Sequence, residues 1–182
     1  DASQGIETVT RRLMDRSTQA KLCRMIIVNK IDSEFANTAQ VLAKIKEVFG
    51  SACLPMNLPA HNATQVVDCF FNKDGDSDLG PVADAHTAIV DQVVEVDEKL
   101  MEAYLESGEV DPAQLHDAFD KALREGHLIP VCFVSARTHD DHTKTVGIEQ
   151  LLDLIVKLAP NPAEGNPRPF TFGEGEDAEP MV

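Results

Sequence analysis

Two short apolar runs, each followed by polar or small residues, constrain the fold of this sequence more than any other feature. The first, residues 25–28, is rich in β-branched side chains and ends at Asn29. The second, residues 128–134, has a similar composition and ends at Ser135. Such runs are typical of buried parallel strands, and a helical pattern of apolar residues follows each one. The sequence therefore predicts an α/β fold in which parallel strands alternate with helices.

The polar tetrad Asn29-Lys30-Ile31-Asp32 predicts recognition of a guanine base. Ligands of open α/β sheets bind beyond the carboxyl ends of the strands, which is where this tetrad is expected. The Asp32 carboxylate can accept hydrogen bonds from N1–H and N2–H of guanine, whereas adenine has no donor at those positions. Because adenine would leave this buried carboxylate unpaired, the site can favour guanine over adenine by about 10⁴-fold. Asn29 can hold the loop in place, and the Lys30 stem can lie flat under the base.

The end of the second run supplies the other half of this predicted pocket. Ser135 and Ala136 are small, so backbone N–H groups there can approach the O6 atom of the base without obstruction. The tetrad alone is also typical of a polar surface turn, and the interpretation depends on the two strand ends occurring together. The candidate base-binding residues are Asn29, Lys30, Asp32, Ser135, Ala136 and Arg137.

Apolar periodicity predicts a set of helices and a region of different character between the two strands. The helices are expected at about residues 4–18, 34–49, 82–107, 112–125 and 147–159. Residues 53–59 and 64–71 alternate as short antiparallel strands do, and the prolines of the first segment indicate an edge position. The loop at residues 72–81 has the acidic rhythm of a calcium loop but lacks its glycine and glutamate, so we expect a solvated turn.

These patterns predict how the chain is divided. Residues 1–50 and 128–160 are expected to form the C-terminal part of a nucleotide-binding domain, and residues 51–127 an inserted α+β subdomain. Residues 161–182, rich in Pro, Gly, Glu and Asp, are expected to be an acidic linker or tail. Only two core-type parallel strands are visible, and the chain opens on a helix that should follow a strand. We therefore expect the second half of a domain whose first half lies upstream.

The composition predicts whether the protein contacts nucleic acid or a membrane, and in which cellular compartment it acts. With 16 basic and 31 acidic side chains the formal charge is -15, which predicts no direct contact with nucleic acid phosphates. No apolar stretch is long enough to span a membrane and no signal peptide is present, which predicts a cytoplasmic protein without membrane contact. The spacing of the cysteines predicts buried free thiols rather than metal ligands or disulfides: Cys23, Cys53, Cys69 and Cys132.

The ordered set of motifs resembles the GTP-binding domain of translational GTPases and, among them, elongation factor G. The resemblance covers about residues 1–162 and is carried by residues 5–12, 26–32, 94–106, 130–136, 147–155 and 159–162. It implies a partial P-loop-NTPase-type G domain with an inserted α+β subdomain, GTP or GDP as ligand, and the ribosome as partner of the intact protein. Asn29, Lys30 and Asp32 match the family's base-specificity motif, and Ser135 and Ala136 match its second base-contacting motif.

Three departures from the family pattern favour a divergent elongation factor G-like paralogue. Arg137 stands where an apolar residue is expected against the base, although a guanidinium can stack by its planar face. The loop at residues 72–81 is short, and residues 138–142 are unfamiliar in this family.

The phosphate-binding sequence G-x-x-x-x-G-K-S/T is absent from the chain. The resemblance implies that this loop, the Mg²⁺ ligands and the residue that positions water lie upstream of Asp1. We therefore expect Mg²⁺ only through upstream residues, no catalytic residue here, and no GTP hydrolysis by this chain alone. The implied share of this chain is base selectivity, in a protein whose GTP hydrolysis drives conformational change on the ribosome.

Two other readings of the residues stay open. One is a stand-alone acidic interaction module without nucleotide turnover. The other is a small metal-dependent hydrolase that uses the His-Asp-Asp-His segment at residues 139–142, although the sequence favours a polar loop there because no third, distant ligand is evident. An acidic helix face is either solvated surface or, as the resemblance suggests, a docking site for a basic ribosomal protein: Glu95, Asp97, Glu98, Glu102 and Glu106.

Overall fold

A computed structural model describes residues 1–108, 110, 112–138, 140–161, 166, 170–172 and 179–181. Its helices are α1 (Thr8–Gln19), α2 (Thr38–Phe49), α3 (Val82–Val94), α4 (Glu98–Ser107), α5 (Pro112–Glu125) and α6 (Ile148–Leu158). Its strands are β1 (Ile26–Val28), β2 (Cys53–Pro55), β3 (Asn57–Ala60), β4 (Gln65–Asp68), β5 (Asp76–Ser77), β6 (Gly80–Pro81), β7 (Ile129–Phe133), β8 (Phe170–Phe172) and β9 (Glu179–Met181).

The main sheet is parallel, with strand order β1-β7-β2. It confirms the predicted α/β fold, in which helices connect parallel strands. The antiparallel prediction for the segment that begins at Cys53 is wrong for its first part, because β2 pairs with β7 in parallel, Cys53 opposite Ile129. The pattern of apolar residues is the same for either direction of pairing, so it left this third strand unrecognised.

The rest of that segment does form the predicted antiparallel hairpin, in which β3 pairs with β4. The side chain of Asn57 fastens this hairpin to the main sheet. Its Nδ2 donates to the Phe133 carbonyl over 3.0 Å, and its Oδ1 accepts from the Phe133 N–H over 2.7 Å. Asn57 is 2% exposed. A buried amide thus supplies the hydrogen-bond partners of β7 at the point where its pairing with β2 ends, at Pro55.

The predicted long helix at residues 82–107 is two helices, α3 and α4. Asp97 causes the break, because its carboxylate accepts from the N–H groups of Lys99 (3.0 Å) and Leu100 (3.2 Å) and caps α4. Asn37 caps α2 in the same way, by accepting from Gln40 N–H over 2.9 Å, so α2 begins later than predicted. In both cases, a short polar side chain within a helical pattern of apolar residues marks the start of a helix.

The core lies on both faces of the parallel sheet. Along β7, Cys132 faces one apolar cluster with helices α3, α5 and α6, while Val131 and Phe133 face a second cluster with α2. This alternation explains why the β7 sequence is apolar throughout. By contrast, α1 has no buried residue, and Ile27 on the edge strand β1 is 47% exposed.

Two further observations bear on sequence predictions. Strands β8 and β9 pair antiparallel within the segment predicted to be an acidic tail, most of which lies outside the described residues. No helix in the described part of the chain is both long and apolar enough to cross a membrane.

All four cysteines are free, and Cys53, Cys69 and Cys132 are buried as predicted, whereas Cys23 is only partly buried. Burial raises the pKa of the Cys69 and Cys132 thiols from 9.0 to about 12. In the unfolded chain these thiols ionise above about pH 9, whereas in the folded chain they stay protonated, so the unfolded state binds fewer protons. The free energy of unfolding is therefore expected to fall as the pH rises from about 9 toward 12.

Urea unfolding at a series of alkaline pH values tests this expectation. The double variant Cys69→Ala and Cys132→Ala should show a shallower decline of stability with pH than the parent chain. An equal decline in both proteins would show that other groups cause it.

Candidate functional site

The predicted binding residues come together because β1 and β7 are parallel neighbours, with Val28 opposite Phe133. Both strands consequently end at the same edge of the sheet, and the loops that follow them lie side by side. Backbone hydrogen bonds continue the pairing past the strand ends, from Val134 N–H to the Val28 carbonyl (2.9 Å) and from Ile31 N–H to the Val134 carbonyl (3.3 Å).

Asn29 connects the two loops. Its Oδ1 accepts from the N–H of Ala136 over 3.1 Å, and from the N–H of Lys30 over 2.8 Å. Its own carbonyl accepts from the N–H of Ala2 over 2.8 Å. The side chain thus holds both strand ends at a fixed separation, the loop-holding role that its place in the tetrad predicts.

Asp32 and Ser135 form a second connection between the loops. The Ser135 hydroxyl donates to Oδ1 of Asp32 and lies 3.3 Å from the Arg137 carbonyl oxygen. Ser135 is completely buried, and its backbone exchanges two 2.8 Å hydrogen bonds with Val146. The bond from the buried Ser135 hydroxyl to Asp32 is a contact that the sequence did not indicate, and the role of Ser135 in admitting the base stays a prediction.

Lys30 takes a left-handed backbone conformation, with a φ of 63° that residues other than glycine seldom adopt. Its Nζ lies 2.7 Å from Oδ2 of Asp1, in an ion pair whose lysine side chain is largely exposed. This conformation turns the chain sharply between Asn29 and Asp32.

An open cleft of about 310 Å³ lies between the two loops. Asn29, Lys30, Asp32 and Ser33 line one side, and Ala136, Arg137, Thr138 and His142 line the other. Five of the six predicted binding residues therefore line one cleft, with Ser135 beneath it. The volume is at the lower end of the range for small-molecule sites, about 300–1,000 Å³.

Ser33, Thr138 and His142 are the cleft residues that the sequence did not assign to the base-binding site, and His142 is the furthest of them along the chain from the two motifs. Its Nδ1 donates to the Thr138 carbonyl over 3.1 Å, and the Thr138 hydroxyl donates to the Asp141 carbonyl over 2.6 Å. Hydrogen bonds from the hydroxyl and N–H of Thr143 lower the pKa of Asp141. These contacts fold the unfamiliar segment back onto the cleft, which no local pattern indicates.

The alternative metal site depends on His139, which lies outside the described residues. Within the described ranges, no group of three His, Cys, Asp or Glu side chains could hold a metal ion. Asp141 is engaged by Thr143 and by Lys144, whose Nζ lies 3.5 Å from its Oδ2.

The predicted acidic face is on and beside α4. Glu95, Glu98, Glu102 and Glu106 are exposed, whereas the Asp97 carboxylate caps the helix. Its docking role remains a prediction.

Comparison with known proteins identifies similar chains. The model of the elongation factor Tu GTP binding domain matches residues 1–161. An elongation factor G-like protein of Thermotoga maritima is 28% identical over 191 residues, which cover 98% of this chain and 27% of that protein. Elongation factor G 2 of Saccharophagus degradans is 29% identical over 195 residues, with coverage of 96% and 27%. A crystal structure from Thermus thermophilus aligns with a TM-score of 0.72 and 28% identity, covering 90% of this chain and 26% of that one. The chain thus spans about a quarter of the length of these relatives.

Proposed function

The chain belongs to the family of elongation factor Tu GTP-binding domains, and from that membership we propose that its two strand-end loops recognise the guanine base of GTP or GDP. The resemblance to elongation factor G-like GTPases is confirmed by relatives that carry that name. Base recognition by particular residues is our proposal, as are the activity and partners of the full-length protein.

The observation that carries the proposal is the pair of connections between the loops, Asn29 with Ala136 and Ser135 with Asp32. They hold a partly buried carboxylate at the edge of an open cleft. A carboxylate is acceptor-only when ionised, which suits the N1–H and N2–H edge of guanine and not the edge of adenine. Since the loops are already fastened to each other, less ordering is required on binding.

The other cleft residues fit a planar base. The Lys30 stem and the Arg137 guanidinium are exposed in the cleft, and both can lie against an aromatic ring. Ala136 leaves space for the edge of the base near its own backbone. The residues present therefore suit the base of the nucleotide, whereas no phosphate-binding loop occurs in the sequence.

We propose that phosphate and Mg²⁺ binding come from other parts of the full-length protein. Three facts support this: relatives are about four times longer, α1 has no buried residue, and the β1 edge leaves Ile27 half exposed. Further strands and helices packed there would cover these apolar surfaces. The full-length protein would then hydrolyse GTP in the cytoplasm and couple hydrolysis to conformational change on the ribosome. The acidic α4 face would contact a basic ribosomal protein.

Replacing Ser135 by alanine tests whether the orientation of Asp32 matters for binding. The variant loses one hydrogen bond to a charged group, so affinity for GDP is expected to fall about 10- to 100-fold in the full-length protein. Isothermal titration with GDP measures the change. Ser51→Ala removes an exposed hydroxyl outside the cleft, should leave the affinity for GDP unchanged, and serves as the control. Equal affinity of the Ser135 variant and its parent would contradict the proposed arrangement.

A further inference from the structure

A second cavity, of about 580 Å³, lies among helices α3, α4, α5 and α6, and it shares no lining residue with the strand-end cleft. Its volume is well inside the range that holds small organic ligands. Nothing in the proposed guanine recognition uses it.

Aromatic and aliphatic side chains form the floor of this cavity. Phe70 is buried and meets Phe71 edge-on, with ring centroids 4.9 Å apart, and it meets the buried Phe119 at 4.8 Å. Phe71 remains 49% exposed, and Val90 and Leu158 continue the apolar surface. This floor offers an apolar ligand a larger contact than isolated surface residues do.

Cationic and imidazole groups surround the floor. Lys157 places its Nζ 5.0 Å from the centroid of the Phe71 ring, and its ion pair with the exposed Asp153 is long, at 3.4 Å. Lys73 also lines the cavity and makes no ion pair with any described residue. The Lys73 ammonium is therefore available to an anion, whereas the Lys157 ammonium would be shared between the anion and Asp153.

Two histidines hold the walls in place. Nδ1 of His86 donates to the Cys69 carbonyl over 2.9 Å, and Nε2 of His116 donates to the Lys157 carbonyl over 2.8 Å. Because a carbonyl oxygen only accepts, the bonded nitrogen of each ring carries a proton. The remaining nitrogen of each ring makes no hydrogen bond within the described residues.

The charge of this lining is opposite to that of the chain. The whole sequence has 31 acidic and 16 basic side chains, yet the described lining contains two lysines, two histidines and no carboxylate. Three described carboxylates outside the lining contact lining residues: Asp153 pairs with Lys157, Asp91 accepts a hydrogen bond from Tyr104, and Asp68 accepts one from the N–H of Phe71. Glu109 and Asp111 lie outside the described residues.

We propose that this cavity binds an amphipathic organic anion, with its apolar body on the Phe70 and Phe71 floor and its carboxylate at Lys73 and Lys157. Charge complementarity selects the anion, and the aromatic floor selects the apolar body. The proposal is independent of guanine recognition, so the two can fail separately.

Tyr104 provides a direct readout, because it lines the cavity and is the only tyrosine in a chain without tryptophan. Its emission should change on titration with octanoate and saturate. Two comparison ligands have the same chain length: octanol is uncharged, and octylammonium is positively charged. We expect octanoate to bind about fivefold or more tightly than octylammonium, with octanol between them, as partly exposed ion pairs allow.

Substitution of one lysine distinguishes a built site from general apolar binding. Lys157→Gln should weaken octanoate about fivefold and leave octanol unchanged. Lys44→Gln, which removes the same charge from exposed α2, should affect neither ligand. The proposal is overturned by the absence of a saturable change in Tyr104 emission, by equal binding of the three ligands, or by equal effects of the two substitutions.

Discussion

Replacing Asp32 by asparagine is expected to change the preferred base from guanine to xanthine. The amide can keep its oxygen toward the Ser135 hydroxyl and present its NH₂ group to the cleft, where the carboxylate accepted from guanine. Xanthine has a carbonyl at C2, which accepts where guanine donates. Since a site built to hydrogen-bond one polar edge can reject a mismatched edge by about 10³- to 10⁴-fold, the ratio of GDP to XDP affinity should change by that order.

Competition between GDP and XDP for the full-length protein measures this ratio. Asp140→Asn is the matched control, because Asp140 is exposed in the neighbouring loop and does not line the cleft. The control should keep the preference for GDP. If the Asp32→Asn variant also prefers GDP to XDP, Asp32 does not take part in base recognition.

Replacing Asn57 by alanine is expected to lower the free energy of unfolding by about 2–5 kcal/mol, because two buried backbone groups lose their partners. The N–H and the carbonyl of Phe133 both bond to the Asn57 side chain, and both residues are almost fully buried. The alanine side chain can satisfy neither group. The hairpin formed by β3 and β4 would also lose its fastening to β7.

Urea unfolding followed by circular dichroism measures the change. Asn72→Ala provides the control, because Asn72 is exposed in a loop and its loss should change stability by no more than about 0.5 kcal/mol. A similarly small effect at Asn57 would show that water or a backbone shift satisfies Phe133.

The α/β class and the strands that carry the site could be predicted, because short β-branched runs ending in polar residues are local signals. The direction of β2 could not, since Cys53–Pro55 is equally compatible with parallel and antiparallel partners. The bond of Asn57 to a backbone 76 residues away leaves no periodic trace in the sequence.

The candidate site was likewise predictable from the sequence only in part. The motifs identified Asn29 and Asp32, but the contact of Ser135 with Asp32 joins residues separated by 103 positions and follows only from strand order. His142 reaches the cleft through a loop in which Thr138 bonds to both Asp141 and His142, and these hydrogen bonds belong to no helix or strand. A polar loop of this kind can fold in many ways, so its sequence alone predicts no position for the imidazole.

Recognition of guanine by the two loops together is tested most directly by a titration of the full-length protein, ¹⁵N-labelled at lysine and alanine, with GDP and with ADP. GDP should shift the amide resonances of Lys30 and Ala136 together, along one saturable curve, while ADP at the same concentrations should leave both resonances unchanged. Equal shifts with both nucleotides, or none with either, would contradict recognition of guanine by these loops.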